Sequence, residues 1–197
     1  LPRAVDPEYV WGDALEELQH RAPFARIVNL ETAITAAEDA WPGKGIHYRM
    51  HPLNASCLGA ADIDCCVLAN NHVLDWGYAG LEETLDTLRA AGIRSAGAGR
   101  GAREAAAPAV IERGGRILVF AYAMESSGVP PAWAAAEGRA GVNFLADLSG
   151  QSCEAIARQV SAARRGGDLV VVSIHWGGNW GYRVEPEQRA FAHMLVD

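Results

Sequence analysis

Apolar residues fall along this chain in two alternating rhythms. Short continuous runs at residues 27–30, 65–68, 94–98, 109–112, 116–123 and 168–174 predict strands. Between them, helical spacing appears at residues 12–20, 52–61, 81–91, 152–164 and 187–197. In the third of these, Leu81, Leu85 and Leu88 share one face and Gly92 supplies the stop. Gly114-Gly115 lies between two strand patterns and predicts a β-hairpin with a two-residue turn. Residues 168–174 form the most apolar strand, and His175 stands at its end. Trp41-Pro42-Gly43 marks a loop over residues 35–44, and Ser, Gly and Pro mark another over 125–138. Strands alternating with helices around one hairpin predict a layered α/β domain with a mixed sheet.

Composition narrows the function classes. Half of the 197 residues are apolar and 21% are charged, as in ordinary globular domains. A formal charge of −7 argues against a nucleic-acid surface, which needs clustered cations. No apolar run approaches the roughly 18–20 residues of a transmembrane helix, and no signal-peptide pattern stands at the start. The expectation is a cytoplasmic protein, or one anchored at the cell surface if a signal or anchor precedes Leu1. The chain starts without Met and stops inside a predicted helix, so a partial domain is expected. Cys57, Cys65, Cys66 and Cys153 show neither metal spacing nor a disulfide framework and read as buried free thiols. Lys44 is the one lysine among 17 basic residues, which reads as codon bias in a GC-rich genome.

Three predicted strand ends deliver ligand-type residues. Leu30 hands over to Glu31, Leu68-Ala69 to Asn70-Asn71-His72, and Ile174 to His175. Ligands of open α/β sheets bind outside the carboxyl ends of the strands. A carboxylate, an amide oxygen and an imidazole form a mixed set suited to Mn²⁺, Fe or Zn²⁺. Each residue also has a plain structural role open to it: Glu31 as an exposed turn residue, the Asn pair as a source of left-handed backbone and Asx bonds, and His175 as a rim histidine.

The segments Asn29-Leu30-Glu31-Thr32, 68–77 with Asn70-Asn71-His72 and Asp75-Trp76-Gly77, and Ser173-Ile174-His175-Trp176-Gly177 resemble the internal motifs of the CapA family. These are bacterial capsule (poly-γ-glutamate) biosynthesis proteins with a calcineurin-like metallophosphoesterase fold. The resemblance extends from about residue 25 to 197. It implies an α/β/β/α sandwich with mixed sheets, present as one domain over 1–197 but incomplete at both ends. It also implies that Glu31 bridges two metal ions, Asn71 and His175 each ligate one, and His72 donates a hydrogen bond or proton beside the scissile group. Asp75 either orients His72 or caps the turn. No counterpart of the family's N-terminal Gly-Asp motif precedes Ile27, because Gly12-Asp13 reads as a helix cap. The family's Gly-His-x-x-His element also lies beyond Asp197. The expectation is therefore two divalent ions in a complete protein and weak or no metal binding by residues 1–197 alone.

The resemblance implies a metal-dependent hydrolase acting on a phosphoester or a γ-glutamyl amide, with two ions about 3.5–4 Å apart activating a water. It leaves two alternatives open. One is a non-catalytic subunit beside a polyglutamate synthetase; the other is a tailoring enzyme in a small-molecule pathway. Trp176, Trp180 and Tyr182 either wall a pocket or cover the sheet edge, and Arg183 is a candidate partner for an anionic group. Trp176 and Arg183 are thus the candidate substrate contacts. Gly97-Ala98-Gly99-Arg100-Gly101 lacks the spacing of a phosphate loop and reads as a structural turn.

Overall fold

A computed structural model describes residues 4–197. Its elements follow in chain order, beginning with α1 (Ala14–Arg21), β1 (Ile27–Asn29), β2 (Ala33–Ile34), β3 (Arg49–Met50) and α2 (Ser56–Ala60). Next come β4 (Cys65–Val67), α3 (Gly77–Ala90), β5 (Arg94–Ala96), β6 (Ala98–Gly99) and α4 (Ala102–Ala106). The chain then runs through β7 (Ala109–Glu112), β8 (Arg116–Ala123), β9 (Gly141–Val142), α5 (Gly150–Ala163), β10 (Leu169–His175) and α6 (Pro186–Val196).

Two three-stranded sheets form the centre. The first is parallel, in the order β1-β4-β5, with Ile27 opposite Cys65 and Cys65 opposite Arg94. The second is mixed, in the order β10-β8-β7, with β10 parallel and β7 antiparallel to β8. Small pairs β2-β3 and β6-β9 flank them. One core joins the two sheets to α3 through Leu81, Leu85 and Leu88; a second lies between β8, β10, α5 and α6, around Phe120, Ile156 and Phe191. The architecture is the expected α/β sandwich. Gly97 allows the sheets to meet: its φ is +88°, and a Cβ there would lie 2.6 Å from Ala69 Cβ and 2.7 Å from Ala121 Cβ. Only glycine fits both the backbone and the gap.

The structure corrects several local expectations. The hairpin register pairs Glu112 with Arg116, so its loop is the three residues Arg113-Gly114-Gly115, not two. The helix expected at 81–91 begins at Gly77, because Trp76 and Gly77 already turn the chain. Asp13 stands before α1 but makes no capping bond. The strand read as most apolar, β10, is an edge strand and stays half-exposed, whereas β8, flanked on both sides, is buried from Ile117 to Ala123. Trp180 and Tyr182 project fully into solvent and cover no sheet edge.

Cys65 and Cys66 occupy the central strand of the first sheet, so both faces of that strand are covered and both thiols are buried. Burial pushes each up to about 12, with Asp64 adding to the effect at Cys65 and the neighbouring thiols at Cys66. All four cysteines are free and buried. Among the described residues, no helix is long and apolar enough to cross a membrane.

Candidate functional site

The site forms where β1, β4 and β10 end. Asn70, wholly buried after β4, ties two of these ends together. Its Nδ2 donates to Asn29 Oδ1 (3.0 Å) and to Leu30 O (2.9 Å), at the end of β1. Its Oδ1 accepts the His72 N–H (3.0 Å) and closes an Asx turn. The expected Asx bond is therefore present. The left-handed backbone is not, since Ala22 and Asp62 are the only non-glycine residues with positive φ among those described. At the third end, Ser127 Oγ donates to His175 O (2.8 Å) and the Met124 N–H to the same oxygen (3.0 Å), which fixes the tip of β10.

These ties bring Glu31, Asn71 and His175 together. His175 Nε2 lies 3.1 Å from Asn71 Oδ1 and 3.8 Å from Glu31 Oε1. Glu31 Oε2 accepts the Asn29 Nδ2–H (2.9 Å). Burial holds the His175 imidazole below its usual pKa, opposed by the charge of Glu31 and assisted by His72. A neutral imidazole is the form that ligates a metal. Metal–ligand bonds of about 2.0–2.2 Å meeting at about 90–110° set donors about 2.8–3.6 Å apart. The Asn71–His175 span falls in that window, and the Glu31–His175 span lies just outside it. A carboxylate, an amide oxygen and an imidazole are the donor types that suit a divalent ion, and of the two spans the Asn71–His175 one has its spacing. Among the described residues, no cluster of three or more His, Cys, Asp or Glu is assembled.

Beside this cluster, His72 is held from one side of its ring. Asp75, wholly buried, places Oδ2 2.7 Å from His72 Nδ1. A carboxylate only accepts, so Nδ1 carries the proton and Nε2 is left for a reacting group. Tyr48 stacks on the imidazole with ring centroids 4.1 Å apart. Its own N–H donates to Asp75 Oδ2 (2.6 Å), and its carbonyl accepts the Trp76 indole N–H (3.0 Å).

Two other expected residues are elsewhere. Trp176 packs edge-on against Phe191, at 6.1 Å, in the core shared with α6. Side chains alternate along β10, so Val170, Val172, Ile174 and Trp176 face the helices while His175 faces away from them. Arg183 is exposed and stands 3.7 Å from Glu185. Neither is brought to the His72 and His175 cluster.

Sequence reasoning missed Tyr48 and, at the centre of this network, Lys44. Its ammonium donates to Asp75 Oδ1 and to Asn71 O, and it lies 5.5 Å from the Trp133 ring centroid. Its being the single lysine was a signal, read above as codon bias; Asp75 was the other half of the pair.

Comparison with known proteins places the chain. Residues 1–197 match the family described as "Bacterial capsule synthesis protein PGA_cap", and the chain belongs to that family. It is 44% identical over 200 residues to proteins of two Mycobacterium tuberculosis strains, each named "Probable polyglutamine synthesis accessory protein". The alignment covers 100% of this chain and 53% of those relatives. It is also 26% identical over 158 residues to "Capsule biosynthesis protein CapA" of Bacillus anthracis, covering 78% of this chain and 36% of that protein. The chain spans about half the length, or less, of the curated relatives it matches.

Proposed function

We propose that this member of the PGA_cap family carries part of a metal-dependent hydrolytic site serving polyglutamate or capsule synthesis. The observation that carries the reading is the meeting of Glu31, Asn71 and His175, from three separate strand ends, within 3.8 Å of one imidazole nitrogen. A divalent ion on these donors would supply charge stabilisation at a scissile phosphoester or γ-glutamyl amide and lower the pKa of a bound water. Glu31 contributes the negative charge, and its second oxygen is anchored by Asn29 so that one oxygen stays free for the ion. His72, with Nδ1–H committed to Asp75, presents Nε2 to give or take a proton at the reacting group. Tyr48 covers the ring and shields the Asp75 contact from water.

A second reading is supported by the Mycobacterium relatives, which are named as accessory proteins of polyglutamine synthesis. On that reading the chain is a non-catalytic partner of a polyglutamate synthetase. The two separate in one experiment on the protein at its full native length. Metal content is measured by elemental analysis, and hydrolysis is followed on aryl phosphoesters and on γ-glutamyl oligomers with Mn²⁺ or Zn²⁺ supplied. The hydrolase reading expects His72→Ala to abolish turnover at unchanged metal content, and Glu31→Ala or His175→Ala to lose metal. Turnover in His72→Ala equal to that of the parent rules the mechanism out. A protein inert on every substrate that copurifies with a synthetase supports the accessory role.

A further inference from the structure

Asp75 has no solvent-exposed side-chain surface and three neighbours that must be satisfied together. Its Oδ2 accepts from His72 Nδ1 (2.7 Å) and from the Tyr48 N–H (2.6 Å), while its Oδ1 accepts from the Lys44 ammonium. Lys44 belongs to the strap between β2 and β3, residues 35–48. The strap grips the Asn71–Asp75 turn again through the Trp41 N–H, which donates to Asp75 O (2.8 Å).

The ammonium is placed to decide how Asp75 meets the ring. Lys44 Nζ also lies 3.1 Å from His72 Nδ1. An ammonium only donates and a carboxylate only accepts, so Nδ1 serves one of them at a time. The shorter carboxylate contact requires Nδ1–H. The ammonium then spends its protons on Asp75 Oδ1 and Asn71 O, on either side of His72 in sequence. A buried carboxylate without a cation is strongly disfavoured. Deprived of Lys44, the buried Asp75 carboxylate loses the partner of its Oδ1, and with it the anchor that aims Oδ2 at Nδ1–H.

We propose that Lys44 is a positioning residue for His72: by neutralising Asp75 and clamping the Asn71 carbonyl, it sets the tautomer and orientation of the His72 imidazole. This deepens the hydrolase reading, since it matters to catalysis only if His72 handles a proton there. The ring geometry itself does not depend on turnover.

The test reads that geometry directly, in the protein at full length, with ¹⁵N-labelled histidine and nitrogen–proton correlation spectra at one fixed alkaline pH. His72→Ala assigns the resonance. The expected parent spectrum shows Nδ1 protonated and Nε2 bare. Lys44→Met and Lys44→Gln are expected to lose that pattern, the two nitrogens shifting toward a mixed state. Asp75→Asn is expected to do the same, and Lys44→Met combined with Asp75→Asn to change His72 no further than either alone. A folded Lys44→Met or Lys44→Gln protein with the parent His72 pattern overturns the proposal, whatever its melting temperature. So does failure of both to fold, which makes Lys44 a determinant of the fold. If the protein proves to be a non-catalytic accessory, the spectral result stands. If it is a hydrolase, Lys44→Met lowers kcat by about 10–100-fold, as for other lost partners of working histidines, at unchanged metal content.

Discussion

Asn70→Ala should be among the most damaging single changes near the site, and its size follows from the hydrogen bonds. The side chain makes three, to Asn29 Oδ1, Leu30 O and the His72 N–H. Asn29 Oδ1 is partly exposed and regains water when Asn70 is removed. Leu30 O and the His72 N–H lie in buried residues and lose their partner. An orphaned buried group costs about 1–3 kcal/mol, so the two together give roughly 2–6 kcal/mol. For a domain of this size, each kcal/mol moves Tm by about 2–4 °C, which predicts a fall of about 4–24 °C. Urea unfolding followed by tryptophan fluorescence should show a lowered midpoint at unchanged slope. Asn70→Asp sharpens the test: it keeps the acceptor for His72 but sets a carboxylate oxygen against Leu30 O and Asn29 Oδ1. It should be no more stable than Asn70→Ala at neutral pH. A loss below about 0.5 kcal/mol for Asn70→Ala, the level of an ordinary surface change, would refute the reasoning.

Thr84→Val should destabilise by about 1–3 kcal/mol in the same assay, because Thr84 Oγ1 is the buried acceptor of the Ile34 N–H (2.9 Å) and locks α3 to β2. Gly97→Ala should cost at least about 1–3 kcal/mol through overpacking between Ala69 and Ala121, with backbone strain added, and chemical denaturation checks it. Ellman's reagent should label none of the four thiols of the native protein at pH 8 and all four in urea. Folded Cys65 and Cys66 titrate near 12, above the unfolded thiol at about 8.5. Their raised pKa contributes stability that is complete below about pH 8.5 and fades as pH rises toward 12. Urea midpoints measured from pH 8 to 11 should therefore fall, and fall less in the Cys65→Ala/Cys66→Ala double variant. The Asp147 carboxyl is held at about 2 by hydrogen bonds from Ser149 and Ser152, so its contribution is present above about pH 4 and lost as pH drops toward 2. The pH dependence of unfolding between 5 and 2 should be shallower in Asp147→Asn.

What the sequence made legible was governed by short-range rules. Strand ends could be read because continuous apolar runs mark buried strands, and the residue after such a run stands at the sheet's carboxyl edge. That reading located Glu31, Asn71 and His175, and the fold sets Asn71 and Glu31 oxygens within 3.8 Å of His175 Nε2. Trp176 stands on the opposite side of β10 from His175. Strand alternation sends residues 174 and 176 to the helix side when 175 faces away, so adjacency in sequence was taken for adjacency in space. The hairpin turn failed because Gly-Gly suits more than one loop length, and the Glu112–Arg116 pairing decides between them.

Lys44 lay beyond any local rule. It is separated from Asp75 by 31 positions and by a loop with no periodic pattern, and neither residue belongs to a regular element. A lone lysine in an arginine-rich chain has two physical explanations, drift in codon usage or a need for a compact ammonium. A guanidinium is a planar fork suited to a carboxylate face, whereas the Lys44 pocket offers one carboxylate oxygen, one carbonyl and an aromatic ring around a point. A small cation with freely rotating donors meets all three. Of the 17 basic positions, 16 are arginine, and the exception is the ammonium that meets Asp75 and the Asn71 carbonyl.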